Sequence, residues 1–252
     1  MVCTTHVIRM AQQSRYILSL LIIVAALIGD PLLARADYVV LRGGETHSKS
    51  YNGQEYGRWP IASLFTGPSP NAYVDLDDTT AYWAIGYGGT VADSIRLEIE
   101  FSHRNQSNFT RLRSRNIAVQ PFPPADAPDI TQLSVSSNSL ILYVNYDLPL
   151  FDRATAFAGA GIGASLVKSS GTVGRPGLTF TVDGSEFNPT FAVNGGISYE
   201  IFNGVDLETR YALIDAGSYT AECDLVSVAF CSHSATADLL YQDISLGLRF
   251  HF

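Results

Sequence analysis

The last ten residues, 243–252, read Asp-Ile-Ser-Leu-Gly-Leu-Arg-Phe-His-Phe. Ile244, Leu246, Leu248, Phe250 and Phe252 alternate with Asp243, Ser245, Gly247, Arg249 and His251. Side chains of a β-strand point to opposite faces in turn, so one face is wholly apolar and the other carries an acid, an Arg and a His. A soluble sandwich strand turns its polar face to water and seldom finishes on bulky aromatics. A strand whose apolar face meets lipid and whose polar face lines a lumen has this pattern. The chain is therefore expected to be a transmembrane β-barrel.

The same alternation recurs at 38–45, 80–87, 94–103, 139–148, 155–167, 190–201, 205–213 and 239–252. It is cleanest at 94–103, where Ile95, Leu97, Ile99 and Phe101 oppose Arg96, Glu98, Glu100 and Ser102. The stretch 155–167 differs: Gly159, Gly161 and Gly163 alternate with Ala or a larger apolar residue. Glycine in a strand marks close approach of another group or a bend, here room for large neighbours in a narrow lumen, and the facing of this strand stays open. The connections 90–93, 151–154 and 202–204 are short, the last with an Asn-Gly hairpin signal. Those at 46–79, 104–138, 168–189 and 214–238 are long, polar and interrupted by Gly and Pro, although 178–184 could prolong the wall as a hairpin. Strict alternation of short and long, with both ends on the short side, is the asymmetry of an outer-membrane barrel. The expected fold is all-β: an eight-stranded antiparallel transmembrane barrel with four long external loops and short periplasmic turns.

Residues 1–36 read as a signal peptide. Arg15 precedes an apolar run over 16–28, and Ala34-Arg35-Ala36 offers small residues at the cleavage positions. The run is too short for a helical span, which needs roughly 20 residues; a retained anchor is the alternative, and Met10 is an alternative start. The barrel domain is then 37–252. Its cysteines are Cys223 and Cys231, an even pair expected to bond in an oxidising compartment. The full chain's net charge of −8 argues against a nucleic-acid partner.

The start Tyr38-Val39-Val40-Leu41-Arg42-Gly43-Gly44, the run Ala84-Ile85-Gly86-Tyr87-Gly88 with Ile95-Arg96-Leu97-Glu98-Ile99-Glu100 after it, the Ala158–Gly163 glycine strand and the terminal Phe252 resemble the small opacity-type and surface-antigen outer-membrane proteins of Gram-negative bacteria. The resemblance spans the exported chain. It implies an eight-stranded barrel and a final aromatic strand, ending at Phe252, that signals to the barrel-assembly machinery. Members include adhesins and immune-exposed antigens, and some are described as porins.

Four constellations are candidates for function. Arg96, Glu98, Glu100, Glu200, Asp206, Glu208, Arg210, Arg249 and His251 are expected to face the lumen as a salt-bridge network, with an ion path as the alternative. Arg104, Arg111, Arg113 and Arg115 form a basic loop patch suited to lipopolysaccharide phosphates or acidic glycans, or else a solvated loop. Asp75, Asp77 and Asp78 lack the rest of a calcium loop, so no metal is expected. His103 with Ser107 is the one suggestive catalytic pairing, and His233-Ser234 lies beside Cys231. The expectation is a monomeric surface protein of the cell outer membrane without catalysis or cofactor. Its loops would bind a host or extracellular ligand, or it would serve the envelope structurally, with a small channel or a lipid-modifying barrel enzyme as alternatives.

Overall fold

A computed structural model describes residues 38–57, 76–113, 129–175, 178–223 and 233–252. The expected signal peptide and its cleavage site lie outside them. Eight strands occupy nearly all of what is described: β1 Tyr38–Gly57, β2 Leu76–Ala92, β3 Ile95–Arg113, β4 Asp129–Phe151, β5 Ala154–Arg175, β6 Leu178–Phe202, β7 Val205–Cys223 and β8 His233–His251. Each is antiparallel to the next, and β8 closes on β1 with Tyr38 opposite His251 and Leu41 opposite Leu248. Closure leaves no free sheet edge at membrane depth, as backbone in lipid requires.

The number, order and sense of the strands are those expected, but every strand runs further outward than the sequence pattern suggested, β2 by the least, starting at Leu76. Strand takes up 46–57 and 76–79, 104–113 and 129–138, and 214–223 and 233–238 of the expected loops. The expected loop at 168–189 is a hairpin, β5 running to Arg175 and β6 starting at Leu178. The short turns match: residues 93–94, 152–153 and 203–204 separate paired strands, and Gly204 takes φ +80°, which an L side chain resists.

The strand faces are as read. On β3, Arg96, Glu98, Glu100 and Ser102 are buried, while Ile95 and Phe101 are exposed. The open question of β5 is settled by burial: Phe157, Gly161, Ser165 and Val167 point inward, and Ala158, Ala160 and Ile162 point out. A Cβ on Gly161 would stand 2.6 Å from the Tyr143 ring, and one on Gly159 2.2 Å from the Asn145 amide oxygen. The glycines thus make room for inward side chains of β4.

Two zones follow along the barrel axis. In the lower zone, nearest the short turns, the outward residues are apolar. On β4 they run Leu140, Leu142, Val144, Tyr146, Leu148, Leu150. Those eleven residues, tilted about 40°, span roughly 28 Å, close to the ~25 Å apolar band of an outer-membrane barrel. Above Leu140 the outward residues become Asn138, Ser136, Ser134 and Gln132. The inward residues change in the opposite sense. They are ionic below, and above they form an apolar cluster that includes Phe109, Leu133, Val135, Val167, Leu239 and Tyr219. The wall therefore continues past the membrane as a water-facing stalk with a dry core.

Candidate functional site

Five arginines enter the lower lumen: Arg42 from β1, Arg96 and Arg104 from β3, Arg210 from β7 and Arg249 from β8. Glu98, Glu100, Glu208 and Asp243, each essentially buried, meet four of them, and Arg96 pairs with Asp147 at 3.3 Å. Arg42 is the hub. Its Nη1 donates to Glu98 Oε1 and Glu100 Oε2, both at 2.5 Å, and its Nε donates to Glu208 Oε1 at 2.8 Å. Arg210 grips both oxygens of Glu100 at 2.8 Å. Arg249 donates to the second oxygen of Glu208. The Tyr38 hydroxyl donates to Glu98 Oε2 at 2.8 Å. Charges taken from water are costly unless compensated, and this interlocking compensates them. Aromatic faces complete the shell: Arg96 lies 5.0 Å from the Phe157 ring centre and Arg249 4.8 Å from that of Tyr38.

One tier outward, Arg104 donates from Nη2 to Asp243 Oδ2 at 2.6 Å and from Nη1 to Ser102 and Ser139. Its guanidinium stacks on Tyr241, 4.8 Å from the ring centre. A hydroxyl chain continues around the wall, with Ser139 bonded to Ser165 at 2.7 Å and Thr190 to Ser165 at 2.6 Å. Above this come the apolar side chains of the stalk. Inward side chains thus bond to one another across the lumen between strands.

The lumen set read from the sequence is largely present. Arg96, Glu98, Glu100, Glu208, Arg210 and Arg249 are all buried inside. Asp206 and His251 sit at the rim by the short turns and bond to each other at 3.1 Å, and Glu200 is half-buried near the end of β6. Arg42 and Asp243 were not counted in that set. Their signal was parity: Arg42 shares the face of Tyr38 and Val40, and Asp243 that of Arg249.

Arg104 is a correction. It was expected in an external basic patch, but it is fully buried and paired with Asp243. β3 does not end at His103, so the next inward position after Ser102 is Arg104. Arg111 and Arg113 lie at the outer end of β3, their backbones opposite Thr131 and Asp129; Arg115 lies outside the described residues. Cys223 is the last residue of β7, its backbone opposite Val182; Cys231, and with it the expected disulfide, lies outside the described residues. Phe252, one residue past the end of β8, is 76% exposed.

His103 and Ser107 do not form a catalytic pair. His103 faces outward, bonded to Asn138 at 2.8 Å and stacked against Trp83, whereas Ser107 is buried inside and bonded to Ser48. Asp78 spends its carboxylate on backbone, accepting from Thr79 N at 2.8 Å and Asn108 N at 2.6 Å. Asp75 and the side chains of His233 and Ser234 lie outside what is described.

No protein-family model matches the chain. A Rickettsia bellii protein named "Putative adhesin" is 28% identical over 234 residues, 87% of this chain and 97% of that protein. An uncharacterized protein of Rickettsia conorii is 33% identical over 182 residues, 69% of this chain and 74% of that protein. Among solved structures, the outer membrane protein OprG of Pseudomonas aeruginosa aligns with a TM-score of 0.48 at 12% identity, over 86% of this chain and 97% of that one. By its one-third identity to the Rickettsia conorii protein the chain belongs to that protein's family, and by its closed ring of eight strands, apolar without and ionic within, it is an outer-membrane β-barrel protein.

Proposed function

We propose that this chain is a surface-binding protein of the adhesin type, acting by contact and not by catalysis. The lower barrel is the anchor, and the stalk carries the external loops and a polar outer wall clear of the lipid. The observation that carries this reading is the stalk. On β4 the eleven residues 129–139 extend beyond the apolar belt, roughly 28 Å at the rise and tilt of a barrel strand. A protein whose whole task lay within the bilayer would have no use for that length. The relatives named as adhesins agree with it.

The ligand is proposed to be a host or extracellular component, with outer-membrane lipid and lipopolysaccharide as the surroundings of the barrel and the barrel-assembly machinery as the partner that inserts it. The test is display of the chain on a non-adherent Gram-negative host, followed by counting cells retained on host-cell monolayers and matrix proteins. Retention above the empty host, abolished when the segments 58–75 and 114–128 are replaced by Gly-Ser linkers, supports it. Retention equal to the empty host contradicts it. Deleting Phe252 lowers the amount of folded barrel in the outer membrane without blocking export, if the assembly partner is as proposed. The channel alternative predicts discrete conductance steps in planar bilayers, which side chains packed across the lumen oppose.

A further inference from the structure

The β2–β3 ladder stops at Tyr82↔Arg104, short of the outer ends of both strands, and the β6–β7 ladder lapses between two paired stretches. β6 and β7 pair from Phe191↔Asp215 down to the Asn203-Gly204 turn, and again at Val182↔Cys223 and Asp183↔Glu222, but residues 184–190 and 216–221 are not paired with each other. The lapse begins where β7 kinks: Gly217 takes φ +75°, and its N–H donates to Asp215 Oδ1 at 3.0 Å. Backbone carbonyls that a ladder would occupy are taken by side chains instead. Asn188 Nδ2 donates to Ser218 O at 2.5 Å, and Ser169 Oγ, from β5, donates to Thr220 O at 3.1 Å. The strands remain close, since a Cβ on Gly184 would fall 1.7 Å from Thr220 O. This is a lapse in pairing held by two side-chain bonds, not a hole.

Two further features coincide with it. The outer wall of the stalk is polar, yet beside the lapse Phe187 and Pro189 on β6 and Leu166 on β5 face outward as an apolar step, Phe187 directly opposite Leu166. The border is also acidic. Asp183 and Glu222 stand directly opposite each other and are both exposed, and Asp215 lies along the same border. Like charges directly opposed across a strand pair repel. Among the described residues no cation pairs with Asp183 or Glu222; on the adjoining β5 the backbone of Lys168 is opposite Ser185.

We propose that this β6–β7 seam is a docking edge for an extended, basic peptide segment of a partner protein. Strand addition supplies backbone pairing along an unladdered edge, and pockets for alternate side chains supply selectivity. Here the alternate side chains would be apolar against Leu166, Phe187 and Pro189, and cationic against Asp183, Glu222 and Asp215. Admitting the segment requires the release of the Asn188 and Ser169 bonds rather than of a backbone ladder. The inference deepens the adhesion reading and rests on it for the partner's biological source.

The experiment uses the full chain in lipid nanodiscs and a fluorescein-labelled ten-residue peptide of alternating Lys and Val. Controls are the Glu-Val peptide and a Lys-Val peptide N-methylated at alternate amides. The expected result is binding of the first peptide alone, with amide-exchange protection confined to 184–190 and 216–221. The double variant Asp183→Asn with Glu222→Gln should weaken binding about tenfold at low salt, and added salt should narrow that gap. Equal binding of the N-methylated peptide, protection elsewhere, or no binding at millimolar peptide overturns the seam. Host-cell retention that persists when the peptide does not dock overturns the seam alone; docking without retention leaves the seam and overturns the adhesion reading.

Discussion

The lower barrel and the stalk are built on the same eight strands, with inward and outward residues alternating in both and the parity of β3 and β7 shifting once, after Arg104 and Ala216, yet their chemistry is reversed. On β7 the lower zone turns Leu207, Tyr211 and Leu213 outward and Glu208 and Arg210 inward; the stalk turns Asp215, Thr220 and Glu222 outward and Ala216, Tyr219 and Ala221 inward. β8 does the same, passing from Arg249 and Asp243 inside to Tyr241, Leu239 and Ala237. The switch follows the solvent. Lipid makes an apolar exterior favourable, which leaves the narrow lumen to polar groups that satisfy one another. Above the lipid, water covers the outside and the hydrophobic effect closes the inside. One pleat serves both media, and only the identity of the residues marks where the membrane ends.

The comparison is tested most severely at the ionic hub. Arg42→Ala leaves Glu98, Glu100 and Glu208 without their shared cation. Breaking a buried pair costs about 3–5 kcal/mol. Urea unfolding in lipid should show that loss, and a change under 1 kcal/mol would mean the network is not what holds the lower lumen. Next in size is the lipid face. Leu97→Arg should cost about 2–4 kcal/mol near the midplane, whereas Ser134→Arg, outward on the stalk, should stay within about 0.5 kcal/mol. Equal costs at the two sites would erase the boundary between zones. Gly161→Ala should cost about 1–3 kcal/mol by forcing a methyl against Tyr143 and Ile141, with Ala160→Gly on the outward side as the mild control. The smallest effect is expected from reductant. If Cys223 and Cys231 are joined, opening that short loop beyond the stalk should leave strand melting unchanged within error, and non-reducing mass spectrometry decides whether the bond exists.

The reversal also explains how much was legible in the sequence. The lower zone shows itself because apolar residues alternate with charges and glycines: Ile95 to Ser102 and Ile244 to Phe252 both gave the right faces. The stalk alternates too, but small hydroxyls stand against Val, Ala and Tyr, as in Ser134-Val135-Ser136 and Tyr219-Thr220-Ala221. That pattern is weaker, and its sign is opposite to the one sought, so those residues read as loop. Arg104 fell to the same cause, since its place inside depends on β3 continuing. Asp243 and Arg42 show that parity identifies which residues face inward, but only the closed register shows which of them meet. The seam between β6 and β7 has no sequence signal beyond Gly217 and Pro189.

The reversal of polarity at the membrane surface is tested most directly by nitroxide labels placed one at a time on the outward positions of β4, from Gln132 to Leu150, in lipid bilayers. Collision with oxygen should dominate from Leu140 to Leu150, and collision with a water-soluble nickel chelate from Asn138 outward to Gln132, with one crossover between Leu140 and Asn138. An oxygen-dominated signal continuing to Gln132, or nickel access at Val144, would contradict it.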